Sequence, residues 1–213
     1  MQAAKKASTK TKILNTAIKL YNEHGVQKIT SRHIASEMGI AYGNLDYHYK
    51  NKEALLLAIY KEMRSEMSSS YLLREEYSTA FEHLHRLLVH LEQFQYKYRF
   101  FNLDVLEITR TYPKISKLIT KTLEMRKQQV SDLFKEFVDE GYLVRRTDEG
   151  YGRLQHTIRI IVTFWLSQQD VLTTYKYKGD GEMSRHIWDL LAPYMTERGR
   201  EEHKRLIIRF ENN

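Results

Sequence analysis

The sequence predicts an all-α protein: an N-terminal three-helix helix-turn-helix domain followed by a larger C-terminal helical bundle that dimerises. Three observations predict it. Among 213 residues, two prolines and nine glycines leave little material for turns, which favours long helices over many short strands. Apolar residues recur at helical spacing from Ile13 onward. The stretch ITSRHIASEMGIAYGNLDYHYKNKEALL, from Ile29 to Leu56, reads as short helices joined by a turn containing Gly, the geometry of a helix-turn-helix.

Residues 1 to 8, MQAAKKAS, are small, polar and basic. They are expected to form a mobile arm, either a plain disordered terminus or one that reaches phosphates or a minor groove. The first helix spans Thr9 to His24, with Ile13, Leu14, Ala17, Ile18, Leu20 and Tyr21 in one stripe and Gly25 at its end. Thr30 has the chemistry of an N-cap, because its hydroxyl can accept from a free first-turn N–H, and Ile34, Ala35 and Met38 give the next apolar face. Gly39 ends that helix. Residues 40 to 41 make the turn, a third helix runs from about Tyr42 to Tyr47, and Asn51 caps a fourth. Ala35, four residues before the turn Gly, is small enough to let the third helix cross closely over the second. Val26, Ile29, Ile34, Met38, Ile40 and Leu45 complete the core of this head, and a boundary at residue 51 separates it (1–51) from a helical domain over 52–213.

Beyond Asn51, Leu55, Leu56, Ile59, Tyr60, Met63 and Met67 continue one helix, which Ser68 to Tyr71 is expected to break. A helix from about Glu75 to Tyr96 comes next, with Phe81, Leu84, Leu87, Leu88, Leu91 and Phe94 inward and His83, His85 and His90 near its polar side. YRFFNLDVLEITRTYP is apolar nearly all round, so a short buried helix is expected there. Asp104 lies in it beside Phe101 and Ile108, and a carboxylate near a core needs a partner, such as a neighbouring Arg, or faces a cavity as a ligand anchor. Tyr112-Pro113 marks a break before a long helix through Ile115, Leu118, Ile119, Leu123, Met125 and Phe134, ended by Gly141. The YLVRRTDEG connection leads to a helix from about Tyr151 to Tyr175, then to the Gly179-Asp180-Gly181 loop. A helix carrying Ile187, Trp188, Leu190 and Leu191 is loosened at Pro193, and an amphipathic helix from Glu197 to Phe210 closes the chain.

The net charge of +7 is unevenly placed: residues 1–52 hold nine Lys and Arg against three acids, the remainder 25 against 24. Positive charge thus sits with the helix-turn-helix, as binding a phosphate backbone requires, and double-stranded DNA is the expected partner. With no cysteine there are no disulfides or thiolate metal sites, the two-turn spacing of His83 and His90 does not let them share a metal, and no cofactor is expected. The basic N-terminus leads into no apolar signal segment. The longest apolar run, Ile158 to Leu166, contains Arg159 and falls far short of the roughly 20 residues that span a bilayer, so a soluble, cytoplasmic protein with no membrane partner is expected. Asp104 and Glu107 invite a general acid/base reading, but no nucleophile accompanies them and no enzyme is expected.

A first helix ending in His24-Gly25, followed by ITSRHIASEMGIAYGNLDYHYKNKEALL, resembles the DNA-binding domain of the TetR/AcrR family of bacterial transcriptional regulators over roughly residues 10 to 60. The matching pieces are the Ile-Thr before helix two, Ile34-Ala35 with Gly39 behind them, Gly43-Asn44-Leu45 opening helix three, and HYKNKEALL after it. One position departs: the family usually places Tyr directly after the Leu of helix three, where it touches DNA, and here Asp46 stands there, followed by Tyr47. The resemblance, with surface geometry, assigns base reading to Tyr42 and Asn44 and close backbone approach to Gly43. It assigns phosphate positioning to Thr30, Ser31, Arg32, Tyr47, His48 and Lys52. Thr30 also serves as a cap, His48 can instead be a packed histidine, and Lys52 an ordinary solvated one.

The resemblance further implies that the last two long helices form a four-helix interface with a second subunit. Helix-turn-helix geometry asks for the same homodimer, since two recognition helices must stand about 34–36 Å apart to read a palindrome. Trp165 and Ile161 belong either to that interface or to the intrachain core. Aromatic residues of the central helices suffice to line a cavity for a small hydrophobic or aromatic effector, with Phe101, Asp104, Ile108, Phe134 and Trp165 as candidate contacts. The implied function is a ligand-responsive transcriptional regulator, a repressor released from a palindromic operator by that effector, residues 52–213 being the effector-binding and dimerisation domain. The alternative is an architectural or protein-partnered DNA-binding factor without an effector.

Overall fold

A computed structural model of the chain describes residues 8–72, 79–146, 150–172, 177 and 179–211. The arm over 1–7, a helix start at Glu75, a helix end at Tyr175 and the Thr147-Asp148-Glu149 part of the long connection lie outside them. In chain order the helices are α1 (Thr9–His24), α2 (Ser31–Glu37), α3 (Tyr42–His48), α4 (Lys52–Leu72), α5 (Ala80–Lys97), α6 (Arg99–Leu103), α7 (Val105–Thr111), α8 (Pro113–Asp139), α9 (Gly152–Val171), α10 (Glu182–Leu191) and α11 (Glu197–Glu211). A 3-10 turn at Ala192–Tyr194, which contains Pro193, separates the last two. Apart from one isolated bridge between Leu143 and Met195, the regular structure among the described residues is helical, and the all-α expectation is met. No helix of the described residues is long and apolar enough to cross a membrane.

The chain divides into two compact units, residues 1–66 with 98–121 and residues 67–97 with 122–213. In the first, local caps set the helix starts. The Ser8 hydroxyl accepts from the N–H of Thr11 at 3.2 Å, and Asn51 Oδ1 accepts from the N–H of Ala54 at 2.8 Å. At α2 the cap is reciprocal: Thr30 Oγ1 accepts from the His33 N–H and His33 Nδ1 accepts from the Thr30 N–H, both at 3.3 Å. Gly39 turns the chain with φ 63°, a conformation in which a Cβ would clash with the following carbonyl. Ile13, Ala17, Ile34, Ala35 and Leu45 are fully buried between the three helices, and the Lys19–Glu37 ion pair at 2.8 Å joins α1 to α2 outside that core.

Three expectations along these helices are corrected. Ser68 to Tyr71 does not break α4, which runs on to Leu72. Serine costs a helix only a few tenths of a kcal/mol, and no Gly or Pro is present to end it there. The segment expected as one buried helix is two, α6 and α7, split at Asp104, and Leu106 is 57% exposed. His83 and His85 lie inside rather than on a polar side, because α5 is covered on more than one face: Glu82 is buried too, with Arg86 at 2.9 Å and Arg209 at 3.2 Å.

The second unit is built around Phe81, whose ring centroid lies 5.0 Å from Phe137, 4.8 Å from Tyr142 and 5.0 Å from Trp188. Its helix starts draw acceptors from far along the chain. Glu140 accepts from the N–H of Ala80 at the start of α5 at 3.0 Å. Glu92 accepts from the N–H groups of Gly181 at 2.8 Å and Ser184 at 3.2 Å, capping α10. The α11 start rests on Thr196, whose hydroxyl accepts from the Gly199 N–H at 3.0 Å and donates to the Gly141 carbonyl at 2.6 Å.

At Gly199 α11 passes so close to the chain that a Cβ would stand 2.1 Å from the Tyr142 carbonyl oxygen. Backbone cannot retreat as a side chain can. Gly199→Ala is therefore expected to destabilise the protein by about 2–3 kcal/mol, the range for forced overpacking, as a lowered midpoint in urea unfolding. A midpoint equal to that of the parent chain would show that the contact is not as close as described.

Candidate nucleic-acid interface

Seven residues suffice for α3 because its inward work falls to few side chains: within it only Leu45 is buried, and Tyr49 is buried just past its end. The rest of the helix is left to solvent. Tyr42 at its start is 45% exposed, Tyr47 is 79% exposed, and Gly43 and Asn44 are exposed between them. An added Cβ at Gly43 would meet nothing within 4 Å, so the open space there lies outside the fold rather than being demanded by it. Across the turn, the Arg32 guanidinium sits 5.7 Å from the centre of the Tyr42 ring, which brings the first turn of α2 against the first turn of α3. Thr30 is exposed, Ser31 and His48 are half-buried, and the His48 and Tyr47 rings meet edge to face at 5.3 Å. Thr30, Ser31, Arg32, Tyr42, Gly43, Asn44, Tyr47 and His48 thus lie on α2, its cap and α3, with their polar atoms accessible in whole or part.

Lys52 departs from its expected place. Its ammonium donates to the carbonyls of Val26 and, at 3.4 Å, of Gln27, and lies 5.9 Å from the centre of the Tyr21 ring. Burial pulls its pKa down, while the charges of Asp104 and Glu107 push it up. The cation that does stand free of the core beside α3 is Lys50, held by Asp46 at 3.2 Å across one helical turn. The pair moderates the charge of the acid at the position where the resembled family carries Tyr. An exposed pair of this kind is worth only a few tenths of a kcal/mol, so Lys50 can exchange it for another anion.

Val26 is held through its N–H as well. Asp104 Oδ2 accepts from the Val26 N–H at 2.7 Å, so its carboxylate has a backbone partner. Two more bonds tie the end of α1 to α6: Arg99 donates to the Asn22 carbonyl at 3.2 Å, and the Phe100 N–H donates to Asn22 Oδ1 at 3.0 Å. Phe101 stacks on Tyr60 at 5.0 Å and Ile108 is fully buried, both within the first unit. Phe134, packed on Phe137 at 5.2 Å, and Trp165, packed on His186 at 5.1 Å, belong to the core of the second. The five candidate effector contacts are therefore divided, three and two, between the units.

Sequence reasoning missed His33, Asn22 and Lys50. The signal for His33 was present as Thr-x-x-His, a capping box with imidazole where Glu or Gln is usual. Nothing local marks Asn22, whose partners are 77 and 78 residues away. Among the described residues no three His, Asp or Glu side chains gather as a metal would require, although Glu82 and His85 stand three apart on α5.

Comparison with known proteins bears on this surface. A family model described as bacterial regulatory proteins, tetR family, matches residues 13–59, and one described as bacterial transcriptional repressor matches residues 62–203. The tetracycline repressor protein class C of Escherichia coli is 37% identical over 51 residues, 24% of this chain and 23% of that protein, so the match spans under a quarter of its length. A TetR-family regulator of Marinobacter aquaeolei VT8 superposes with a TM-score of 0.84 at 22% identity, over 97% of this chain and 98% of the other. A transcriptional regulator of Saccharomonospora viridis, solved in complex with choline, gives 0.71 at 21% identity, over 88% and 97%. At those identities the likeness is one of fold.

Removing the acceptor at position 104 tests the hold on the Val26 peptide. Asp104→Ala is expected to cost about 1.5–3 kcal/mol, the worth of a hydrogen bond to a charged group, and to speed hydrogen exchange at the Val26 amide in NMR spectra. Unchanged protection of that amide would refute the assignment.

Proposed function

The chain belongs to the TetR family of bacterial transcriptional regulators, and on that premise we propose that it is a ligand-responsive DNA-binding transcriptional regulator. In this reading it is a repressor that leaves a palindromic operator when a small hydrophobic effector binds. The observation that carries it is the outer face of α3. Tyr42, Asn44 and Tyr47 stand exposed on a helix whose inward face is already satisfied, beside Arg32 and Lys50, in the part of the chain that holds most of the net positive charge. Tyr42 and Asn44 read base edges, the Gly43 backbone approaches the groove, and Thr30, Ser31, Arg32, Tyr47 and His48 fix the register on phosphates.

Pairing of two chains is supported by α9. Ile160, Phe164 and Val171 are exposed there at spacings of four and seven, which puts them on one side of the helix. An apolar stripe of this kind is covered by a partner, and a second copy of the chain supplies the second recognition helix that a palindrome needs. The choline bound by the Saccharomonospora viridis neighbour supports a small organic effector for this chain as well. Such an effector acts by binding one of two conformations of the protein more tightly than the other.

Selection of bound sequences from random duplex DNA at two salt concentrations tests the reading. The expected outcome is an enriched palindrome and an affinity that falls steeply with salt, about 0.9 in log–log slope per phosphate contacted. A flat slope, or no enriched palindrome, sinks it.

Asp46 gives a second test. Asp46→Tyr removes an acid and releases Lys50, and is expected to raise nonspecific DNA affinity several-fold and steepen the salt slope by about 0.9. A fall in affinity with relaxed preference at one base pair would instead identify Asp46 as a reader of a base donor such as cytosine N4.

A further inference from the structure

The second unit carries an open groove of about 590 Å³ between the C-terminal turns of α8 and the start of α9. Its size falls within the range of small-molecule sites, roughly 300–1,000 Å³. Of the residues expected to touch an effector only Phe134 lines it, and nothing in the DNA-facing surface does. Four cations line the groove, Lys127, Lys135, Arg145 and Arg146, against one acid, Asp139, among the described lining residues.

Those cations are not equivalent. Lys135 is held by Asp132 at 2.9 Å, and Arg145 reaches Asp139 at 3.4 Å. Lys127 and Arg146 have no acid of their own among the described residues. Arg146 instead spreads its guanidinium 5.9 Å from the Tyr151 ring centre and 5.5 Å from that of Tyr194, a contact that uses the face of the group and not its N–H donors. Beneath them the floor is apolar: Phe134 and Tyr151 are buried with ring centres 5.4 Å apart. The rim is fixed in advance, because the Tyr151 hydroxyl donates to the Val144 carbonyl at 2.6 Å.

We propose that this groove binds a small organic anion, with an acidic head on Lys127 and Arg146 and a flat apolar body on Phe134 and Tyr151. A neutral apolar molecule would not use the charges of Lys127 and Arg146, which have no acid among the described residues, and an inorganic anion would not use the aromatic floor. Only a molecule with both parts uses both surfaces.

Calorimetric titration of the full chain, with no DNA present, tests the site. The probe is 1-naphthoate, with 1-naphthalenemethanol and inorganic phosphate as controls. Naphthoate is expected to saturate one site per chain at about 1 mM or tighter, with each control at least about tenfold weaker. Lys127→Gln and Arg146→Gln are each expected to weaken naphthoate about three- to tenfold, while Lys204→Gln on α11 leaves it unchanged. All three positions are exposed, so the thermal midpoints confirm that each variant is folded. No saturation below about 10 mM, equal binding of the alcohol, or undiminished binding by the two groove variants overturns the proposal. Operator binding is measured separately on the same proteins. Neither groove residue lies on α2 or α3, so failure of the DNA reading and failure of this site are told apart.

Discussion

A backbone amide in the first turn of a helix has no carbonyl within that helix to bond, and in this chain distant carboxylates supply much of what is missing. Glu140 serves α5 and Glu92 serves α10. Glu53 accepts from the Lys114 N–H at 3.1 Å, directly after Pro113, whose missing N–H leaves α8 one fewer amide to satisfy. Asp104 does the same service for the turn after α1. A carboxylate that accepts from an amide stabilises the fold by more than a neutral acceptor, and an amide left without one in the interior costs about 1–3 kcal/mol.

The same distinction decides how much could be read from the sequence. The head was legible because its determinants are local: Thr30 and Asn51 cap the helices that begin beside them, Gly39 turns the chain where it stands, and Ile34 and Leu45 point inward by spacing alone. Eight of the nine residues expected to contact DNA lie on α2, its cap or α3, the elements those signals delimit. Lys52 could not be read so. Its position in a first turn suggests a phosphate ligand, yet the carbonyls it holds belong to a turn 25 and 26 residues earlier. The backbone partner of Asp104 lies 78 residues earlier, and burial of His85 on a second face of α5 is decided by α10 and α11, which no window along α5 contains. Leu106 shows the converse: an apolar residue in an apolar stretch, left outside because Asp104 splits the helix and turns the residues after it to a different side.

Around the head the side chains divide into those that hold the fold and those that have nothing else to do. Thr30 is both, since its oxygen accepts from the His33 N–H and its own O–H remains to be donated. Lys52 and Lys50 have exchanged the roles that their neighbourhood suggests, one drawn into the turn after α1 and the other left at the end of α3. Lys50 and Asp46 cancel one another's charge beside α3, so the net positive charge of residues 1–52 rests on the other cations.

The remote caps also order events in time. The acceptors that complete α8, α5 and α10 lie 61, 60 and 89 residues from the amides they serve. Closing loops of that length costs chain entropy before any contact returns it, and proteins rich in such separations fold slowly for their size. Helices α1, α2 and α4, with acceptors three residues from the amides they serve, can nucleate on the nascent chain as soon as they emerge. The first turns of α8 and α10 remain frayed until the chain has collapsed around Glu53 and Glu92, so α1, α2 and α4 are poised to form well before the later helices are finished.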